Sequence, residues 1–225
     1  GYDPLLLFKG SVIIALPAVI SAATADLLFY WNADKMILGI TGSFGSGKTT
    51  VSDIFKKYGF AVINADKLYH GIYNKNKALR NKIKKEFGTL NRNKIKKIVF
   101  NDYRKLKKLN NITHPIIIKE IKKEIDKIKK YNKEARIIVD VPLLFEAKIQ
   151  NMFDKIIVVK CDEKTQIKRL LKKKKYSKGE IEHIINSQMP LKEKAKKADF
   201  VVDNSRSPKD SEKQTNQILE SMQKP

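Results

Sequence analysis

The chain has 225 residues with an ordinary globular share of hydrophobic residues, which suits one domain with a small inserted subdomain. Its formal net charge of +23 comes almost entirely from lysine, whereas surfaces that read bases favour arginine, so we expect no nucleic-acid partner. The single cysteine, Cys161, excludes an internal disulfide and is compatible with a reducing, cytoplasmic compartment.

Residues 1–35 differ from the rest of the chain because they are apolar and nearly uncharged. No charge lies between Lys9 and Asp26, and an aromatic cluster follows at 29–31. The segment fits a membrane anchor or peripheral segment, which would place the protein at an intracellular membrane. It equally fits a remnant of an upstream domain or reading frame, and it fits a buried accessory helix less well. The sequence leaves these alternatives open, as it does the oligomeric state.

From Met36 onward, short apolar runs alternate with amphipathic segments, which predicts strands separated by helices. The predicted strands lie at 36–40, 60–64, 136–142, 155–161 and 198–205. Such alternation is typical of a parallel sheet, so we expect a three-layer α/β fold with a five-stranded parallel sheet in a domain spanning 36–223. The helical block at about 67–135 is too long for a simple crossover and predicts an inserted helical subdomain.

The segment "GITGSFGSGKTT", which follows the first predicted strand and opens a helix, fits the pattern of a phosphate-binding loop. The pattern residues are Gly42, Gly47, Lys48 and Thr49. Glycines let backbone N–H groups turn towards a polyphosphate, and the helix N-terminus adds partial positive charge. We expect Lys48 to reach the outer phosphates and Thr49 to offer its hydroxyl to Mg²⁺.

Phosphate loops serve GTPase switches, motor ATPases and small-molecule kinases alike. The guanine-reading Asn-Lys-x-Asp tetrapeptide is missing from the sequence. A motor ATPase would favour an Asp-Glu pair after its second-site strand, whereas the run "IIVDVP" has no second acid and has proline two residues after Asp140. A small kinase that binds a nucleoside triphosphate is therefore the best interpretation.

Two carboxylates follow predicted strands at the sheet edge where ligands bind in such folds. Asp66 is the candidate base and a candidate metal ligand, although it could instead be the N-cap of a helix at 67–73. Asp140 could hold Mg²⁺ through water, or could be an ordinary strand-end carboxylate.

A kinase also needs cations that cover the transferring phosphoryl group and exclude water. Arg169, the lysine run at 172–175 and an amphipathic helix ending at Gln188 predict a lid at about 170–190. The lysines alone fit a solvated helix face equally well.

From Met36 to about Ile218, the sequence resembles the dephospho-coenzyme A kinases. The phosphate loop alone is not specific, but its combination with "VINADKL", "ITHP", "DVPLLFE", "CDEKTQIKRL" and "NSQMPLKEKAKKAD…VVDNS" is. The "NNITHP" segment suggests a eukaryotic-type member. The resemblance implies transfer of the γ-phosphoryl group of ATP to the ribose 3′-hydroxyl of dephospho-CoA, the last step of coenzyme A synthesis.

The resemblance also implies roles for individual residues. Asp66 matches the catalytic aspartate, Arg169 a lid arginine and Asn204 an adenine-side position. Lys173 stands where a second lid arginine is expected, and Gln188 lies at the end of the lid. The ATP loop includes Gly45, Ser46, Gly47, Lys48, Thr49 and Thr50, and the acceptor-side positions are His114, Pro115, Leu143, Leu144, Phe145 and Glu146.

Two departures from the family pattern concern the reaction. The chain has Asn64-Ala65-Asp66 where Asp-Ala-Asp is common, so a carboxylate that tunes Mg²⁺ is lost. Lys173 keeps a charge but loses the planar fork of arginine.

Pro115 predicts an extended residue before it and a new helix after it. The alternatives are another nucleoside or metabolite kinase with a phosphate loop, and a non-catalytic NTP-binding protein at a membrane.

Overall fold

Five parallel strands form one sheet at the centre of the fold. They are β1 (Ile37–Gly42), β2 (Ala61–Asn64), β3 (Ile137–Asp140), β4 (Lys155–Lys160) and β5 (Phe200–Asp203). The computed structural model describes residues 35–222, in which the strand order is β2-β3-β1-β4-β5 and every neighbouring pair is parallel. The predicted five-stranded parallel sheet is confirmed.

Nine α-helices and one 3₁₀ turn surround this sheet within residues 35–222. The helices are α1 (Lys48–Lys57), α2 (Ala65–Lys75), α3 (Lys77–Phe87), α4 (Arg92–Asn101), α5 (Tyr103–Tyr131), α6 (Glu163–Lys172), α7 (Lys178–Asn186), α8 (Leu191–Lys196) and α9 (Pro208–Ser221), and the 3₁₀ turn is Gln150–Met152. Helices α1 and α9 pack against each other and against strands, while α5 and α8 contact β2 and β4.

Side chains alternate along the central strands and build a core on each face. Ile137 and Val139 pack with Ile121 of α5 in one buried cluster, and Leu191 of α8 packs against it. Ile138, between the first two, is fully buried on the opposite face. Because both faces are covered by apolar side chains, the predicted three-layer α/β fold is confirmed.

Helices α2 to α5 lie between β2 and β3, in the region predicted to hold the helical insert. They have an apolar cluster of their own, and partly buried side chains of α5 pack against it. The buried members of the cluster are Tyr73, Leu79, Ile83, Phe87 and Ile95.

The expectation that Pro115 starts a new helix is wrong. Helix α5 runs without interruption from Tyr103 to Tyr131 and contains Pro115. A proline inside a helix removes one backbone hydrogen bond and costs about 3 kcal/mol. The hydroxyl of Thr113 donates to the carbonyl oxygen of Leu109 at 2.9 Å, and α5 buries Ile121 and Ile125. Burial of this apolar face outweighs the local cost of the proline.

The predicted lid region contains α7, which starts four residues after Lys174, a residue whose φ of 52° is left-handed. Ser177 and Glu180 form a capping box at its start. The short helix α8 was not predicted from the sequence.

Between residues 35 and 222, none of the helices is both long and apolar enough to cross a membrane. The three interpretations of residues 1–35 concern positions that, up to residue 34, lie outside the described residues.

Candidate active site

The phosphate loop joins β1 to α1 and depends on two glycines with left-handed backbone. Gly45 and Gly47 have φ values of 83° and 91°. A Cβ atom at Gly45 would lie 2.7 Å from the side chain of Leu170, and one at Gly47 would overlap the amide of Asn204. Gly47 is also the N-cap of α1 and has no side chain to cap it, so the first N–H groups of α1 face the loop. This is the backbone geometry that binds an anionic phosphate.

Lys48 is the cation of this loop. Its ammonium group lies 3.2 Å from the carbonyl oxygen of Ser43 and 3.4 Å from that of Gly42. Burial lowers the pKa of Lys48, and the charges of Asp140 and Asp66 oppose this shift. The two carboxylates predicted from the sequence are therefore close enough to Lys48 to act on its charge. Thr49 and Thr50 are exposed at the start of α1.

Asp140 ends β3 and is buried, with only 3% of the residue exposed. Its Oδ2 accepts a hydrogen bond from Asn64 Nδ2 at 3.0 Å, and no described residue gives Oδ1 a partner. Burial raises the pKa of Asp140 to about 6, the charge of Lys48 lowers it and that of Asp66 raises it. A buried carboxylate oxygen without a partner is suited to a water ligand of a magnesium ion.

Asp66 lies in the first turn of α2 and is exposed. The alternative that it is the N-cap of the following helix is wrong, because the cap is Asn64, whose Oδ1 accepts a hydrogen bond from the backbone N–H of Lys67 at 2.9 Å. The carboxylate of Asp66 is therefore not used by the helix cap.

A cavity of about 200 Å³ opens beside Asp66. Its lining includes Asp66, Tyr69, His114 and Leu143, with several isoleucines of α5. His114 is half-buried, and burial lowers its pKa while the charge of Glu146 raises it. This is the place where the sequence predicts an acceptor.

Some predicted acceptor residues lie elsewhere. Pro115 is exposed on α5 and is not part of the cavity lining, and Phe145 is buried in the core cluster of the sheet. Glu146 is not part of the cavity lining either, and its Oε1 accepts from Lys194 Nζ and from the backbone N–H of Met189, each at 2.9 Å. Leu144 is fully buried.

Arg169 of α6 lies just before the predicted lid and contacts Asn204, the residue that follows β5. Its Nη1 donates to the carbonyl oxygen of Asn204 at 2.8 Å and approaches the sulfur of Cys161 at 3.6 Å. The side chain of Asn204 is buried and donates to the carbonyl oxygen of Ser46 at 2.9 Å. Asn204 thus supports the phosphate loop from behind. Lys173 is exposed at the end of α6.

The lid region contacts both the phosphate loop and the helical insert. Gln188 Oε1 accepts from the backbone N–H of Phe44 at 2.9 Å. At the other end, Glu180 of α7 pairs with Lys96 of α4 at 2.8 Å. The ring of His183 stacks on Phe100 of α4, with ring centres 4.0 Å apart. These contacts join α7 to α4 and the segment after α7 to the phosphate loop.

Two polar residues of the site were missed from the sequence. Gln166 is buried and donates to Ser43 Oγ at 2.9 Å, and it also contacts the carbonyl oxygen of Phe44. Its position three residues before Arg169, on one face of a helix, was the available signal. Lys194 is fully buried, but nothing in "LKEKAKK" distinguishes it from its neighbours.

The fold and site together define a phosphate-loop kinase of small molecules, in which a lysine and two carboxylates lie at one sheet edge beside a cavity. The sequence profile of the dephospho-CoA kinase family matches residues 36–210. The chain belongs to that family, as its resemblance predicted.

Curated relatives agree with this assignment. The dephospho-CoA kinase of Carboxydothermus hydrogenoformans is 41% identical over 192 residues, covering 82% of this chain and 93% of the relative. The one from Fusobacterium nucleatum is 39% identical over 198 residues, covering 83% and 98%. The narrower suggestion of a eukaryotic-type member stays a prediction.

Solved structures agree as well. A crystal structure of a Thermus thermophilus protein matches with a TM-score of 0.72 and 25% identity, covering 85% of this chain and all of that one. Dephospho-CoA kinase from Campylobacter jejuni matches with a TM-score of 0.58 and 28% identity, covering 83% and 96%. A shikimate kinase from Bacteroides thetaiotaomicron, 14% identical with a TM-score of 0.50, shares the fold alone.

Proposed function

We propose that the protein transfers the γ-phosphoryl group of ATP to the ribose 3′-hydroxyl of dephospho-CoA, giving CoA and ADP. Membership of the dephospho-CoA kinase family supports the substrate pair. The observation that carries the proposal is the position of Asp66, which lines the acceptor cavity and also acts on the charge of Lys48. One carboxylate is thus shared between the acceptor side and the phosphate side.

In this proposal Asp66 orients the acceptor hydroxyl and takes its proton as the hydroxyl oxygen attacks the γ-phosphorus. The bond between that phosphorus and the bridging oxygen breaks, and ADP leaves. Lys48 and Arg169 stabilise the charge that develops on the phosphoryl oxygens. The loop N–H groups of 45–50 hold the remaining phosphates.

Magnesium fits this site as a partner of ATP. Across residues 35–222, no group of three or more His, Cys, Asp or Glu side chains is placed to hold a metal by itself. Mg²⁺ keeps several waters and usually takes one or two protein ligands together with substrate phosphates. We propose that Thr49 and the free oxygen of Asp140 supply the protein side, with Asp66 close to the same ion. Bound there, the ion would neutralise phosphate charge.

On the acceptor side, His114 and Leu143 line the cavity, and the apolar wall formed by α5 suits a flat base. We propose that Phe145 and Glu146 support this wall from behind and that Pro115 acts only through the shape of α5. Lys173 and Gln188 belong to the lid, where Lys173 supplies charge and Gln188 fixes the loop. Asn204 acts on the adenine side by supporting the loop and Arg169.

The experiment that tests the function offers the purified protein ATP with dephospho-CoA, and separately with a panel of nucleoside monophosphates and shikimate. We expect the highest kcat/KM with dephospho-CoA, and mass spectrometry of the product should place the new phosphate on the 3′-oxygen. Faster turnover of a monophosphate would favour the alternative kinase. ATP binding without transfer to any acceptor would favour a non-catalytic NTP-binding protein.

We further propose a cytoplasmic location, with membrane association through residues 1–35 as the alternative. The test is fractionation of cells that express either the full chain or a chain starting at Met36. If residues 1–35 attach the protein to a membrane, only the full chain will sediment with membranes. Equal distribution of both chains would contradict membrane attachment.

A further inference from the structure

Lys194 is the most completely buried charge of the described part of the chain. Its Nζ lies 2.9 Å from Glu146 Oε1 and 2.9 Å from the carbonyl oxygen of Pro142. Burial lowers the pKa of Lys194, and the hydrogen bond and charge of Glu146 raise it. Taking an ammonium group out of water costs several kcal/mol unless it is paired and hydrogen-bonded. Such a pair holds its two chain segments together at one place.

Both acceptors of Lys194 belong to the segment after β3, residues 141–149, which we call the acceptor loop. Leu143 and Ala147 of this loop line the acceptor cavity, one on each side of Glu146 in sequence. The carbonyl oxygen of Pro142 also accepts from the hydroxyl of Thr41 in β1 at 3.1 Å. The acceptor loop is therefore anchored to the sheet by Thr41 and to α8 by Lys194.

Lys194 itself lies at the end of residues 187–194, which we call the return segment because it leads from α7 back to the sheet. Glu146 Oε1 binds this segment twice, through Lys194 Nζ and the N–H of Met189. The residue before Met189 is Gln188, which accepts from the N–H of Phe44 in the phosphate loop. A continuous series of contacts thus runs from the acceptor cavity through Glu146 to the ATP side.

We propose that the Glu146–Lys194 pair is a positioning device that couples acceptor binding to ATP binding through the return segment. An acceptor in the cavity touches the acceptor loop, the pair fixes the return segment, and Gln188 fixes the phosphate loop. Coupling between two sites is reciprocal, so each ligand raises the affinity for the other by the same factor. The proposal rests on the proposed function, because dephospho-CoA is its acceptor.

The pair acts through position and not through contact with the reacting atoms. Lys194→Met alone leaves the Glu146 carboxylate without its cation, and this variant can lose stability for that reason only. In Glu146→Gln/Lys194→Met no charge remains, and the glutamine oxygen still accepts from Met189. Buried ion pairs replaced together by uncharged groups are often neutral for stability. The double variant therefore separates a folding role from a positioning role.

The test is calorimetric titration of AMP-PNP with Mg²⁺, in the absence and presence of saturating dephospho-CoA. For the wild type we expect about tenfold tighter AMP-PNP binding when dephospho-CoA is present, within the usual range of coupling. In the double variant we expect the ratio to fall to within about twofold of 1, with AMP-PNP binding alone unchanged. Lys196→Met is the matched control, because Lys196 lies in the same helix and its pair with Glu193 is exposed. It should behave as the wild type.

A second variant tests the same series of contacts without touching the buried pair. Gln188→Ala removes the contact with Phe44 and should also abolish the coupling. Coupling that persists in either folded variant, or that is missing from the wild type, would overturn the inference. Failure of the wild type to phosphorylate dephospho-CoA would instead refute the proposed function, so the two failures are distinguishable.

Discussion

The side-chain amide of Asn64 donates a hydrogen bond to Asp140 Oδ2 at 3.0 Å while its oxygen caps α2 through Lys67 at 2.9 Å. One residue thus holds the buried carboxylate and starts the helix that carries Asp66. A second aspartate at position 64 would face Asp140 with a like charge, whereas the amide offers a donor. The departure from Asp-Ala-Asp therefore removes a negative charge at position 64 and supplies a hydrogen bond to the carboxylate of Asp140.

Replacing Asp140 by asparagine should stabilise the free protein at neutral pH. Burial raises the pKa of Asp140 from 3.8 to about 6, so the folded state holds this proton more tightly than the unfolded state. Stability from this group is complete below pH 3.8 and is lost as the pH rises through 6. A difference of two pKa units corresponds to about 3 kcal/mol at most.

Urea denaturation of both proteins without nucleotide, at pH 4 and at pH 7.5, measures this effect. We expect Asp140→Asn to exceed the wild type by about 2–3 kcal/mol at pH 7.5 and by less than about 1 kcal/mol at pH 4. A difference that does not change with pH would contradict the assigned pKa. In the same variant, loss of phosphoryl transfer would support its proposed role towards Mg²⁺.

Asp66→Asn should abolish catalysis and keep nucleotide binding. The exposed carboxylate is not used in the helix cap, so its loss has little effect on folding. Without a proton acceptor, we expect kcat to fall by about 10²–10⁴-fold and the affinity for AMP-PNP to change less than about threefold. Asp53→Asn, at an exposed position of α1, is the control and should leave both unchanged. Retention of kcat in Asp66→Asn would remove this residue from the mechanism.

Patterns that are local in sequence predicted much of this molecule. The loop around Lys48 and the strands ending near Asp66 and Asp140 follow from glycine placement and apolar alternation, which depend on neighbouring residues only. Long-range packing was not predictable in this way. Pro115 lies inside a helix, against its local preference, because the packing of α5 decides its conformation. Lys194 can be buried because Glu146, 48 positions away in sequence, forms an ion pair with it.

Gly47→Ala should damage both the loop and the fold. The φ of 91° is left-handed, and a Cβ atom would overlap the buried amide of Asn204, which is held by Ser46 and Ser211. We expect a loss of about 1–3 kcal/mol in unfolding free energy and at least about tenfold weaker ATP binding. Thermal or urea unfolding together with nucleotide titration measures both quantities.

The matched control is Gly71→Ala in α2, where an added Cβ meets no described atom within 4 Å. In a helix interior this change should stabilise the protein by about 0.5–1 kcal/mol and leave ATP affinity unchanged. If the two alanine variants bind ATP equally well, the loop geometry does not depend on Gly47.

Arg169→Lys should lower turnover more than any change at Lys173. The guanidinium group of Arg169 uses Nη1 to bind the Asn204 carbonyl oxygen at 2.8 Å. In the proposed mechanism its other N–H groups donate to the phosphoryl group. A lysine has one nitrogen and cannot serve both positions with the same geometry. We expect kcat to fall by about 10²-fold in Arg169→Lys, since loss of a transition-state donor costs about 10²–10³-fold. Lys173→Ala, at an exposed helix end, should cost less than about tenfold. Steady-state kinetics with dephospho-CoA decides the order, and a larger loss at Lys173 would transfer the role of charge stabilisation from Arg169 to Lys173.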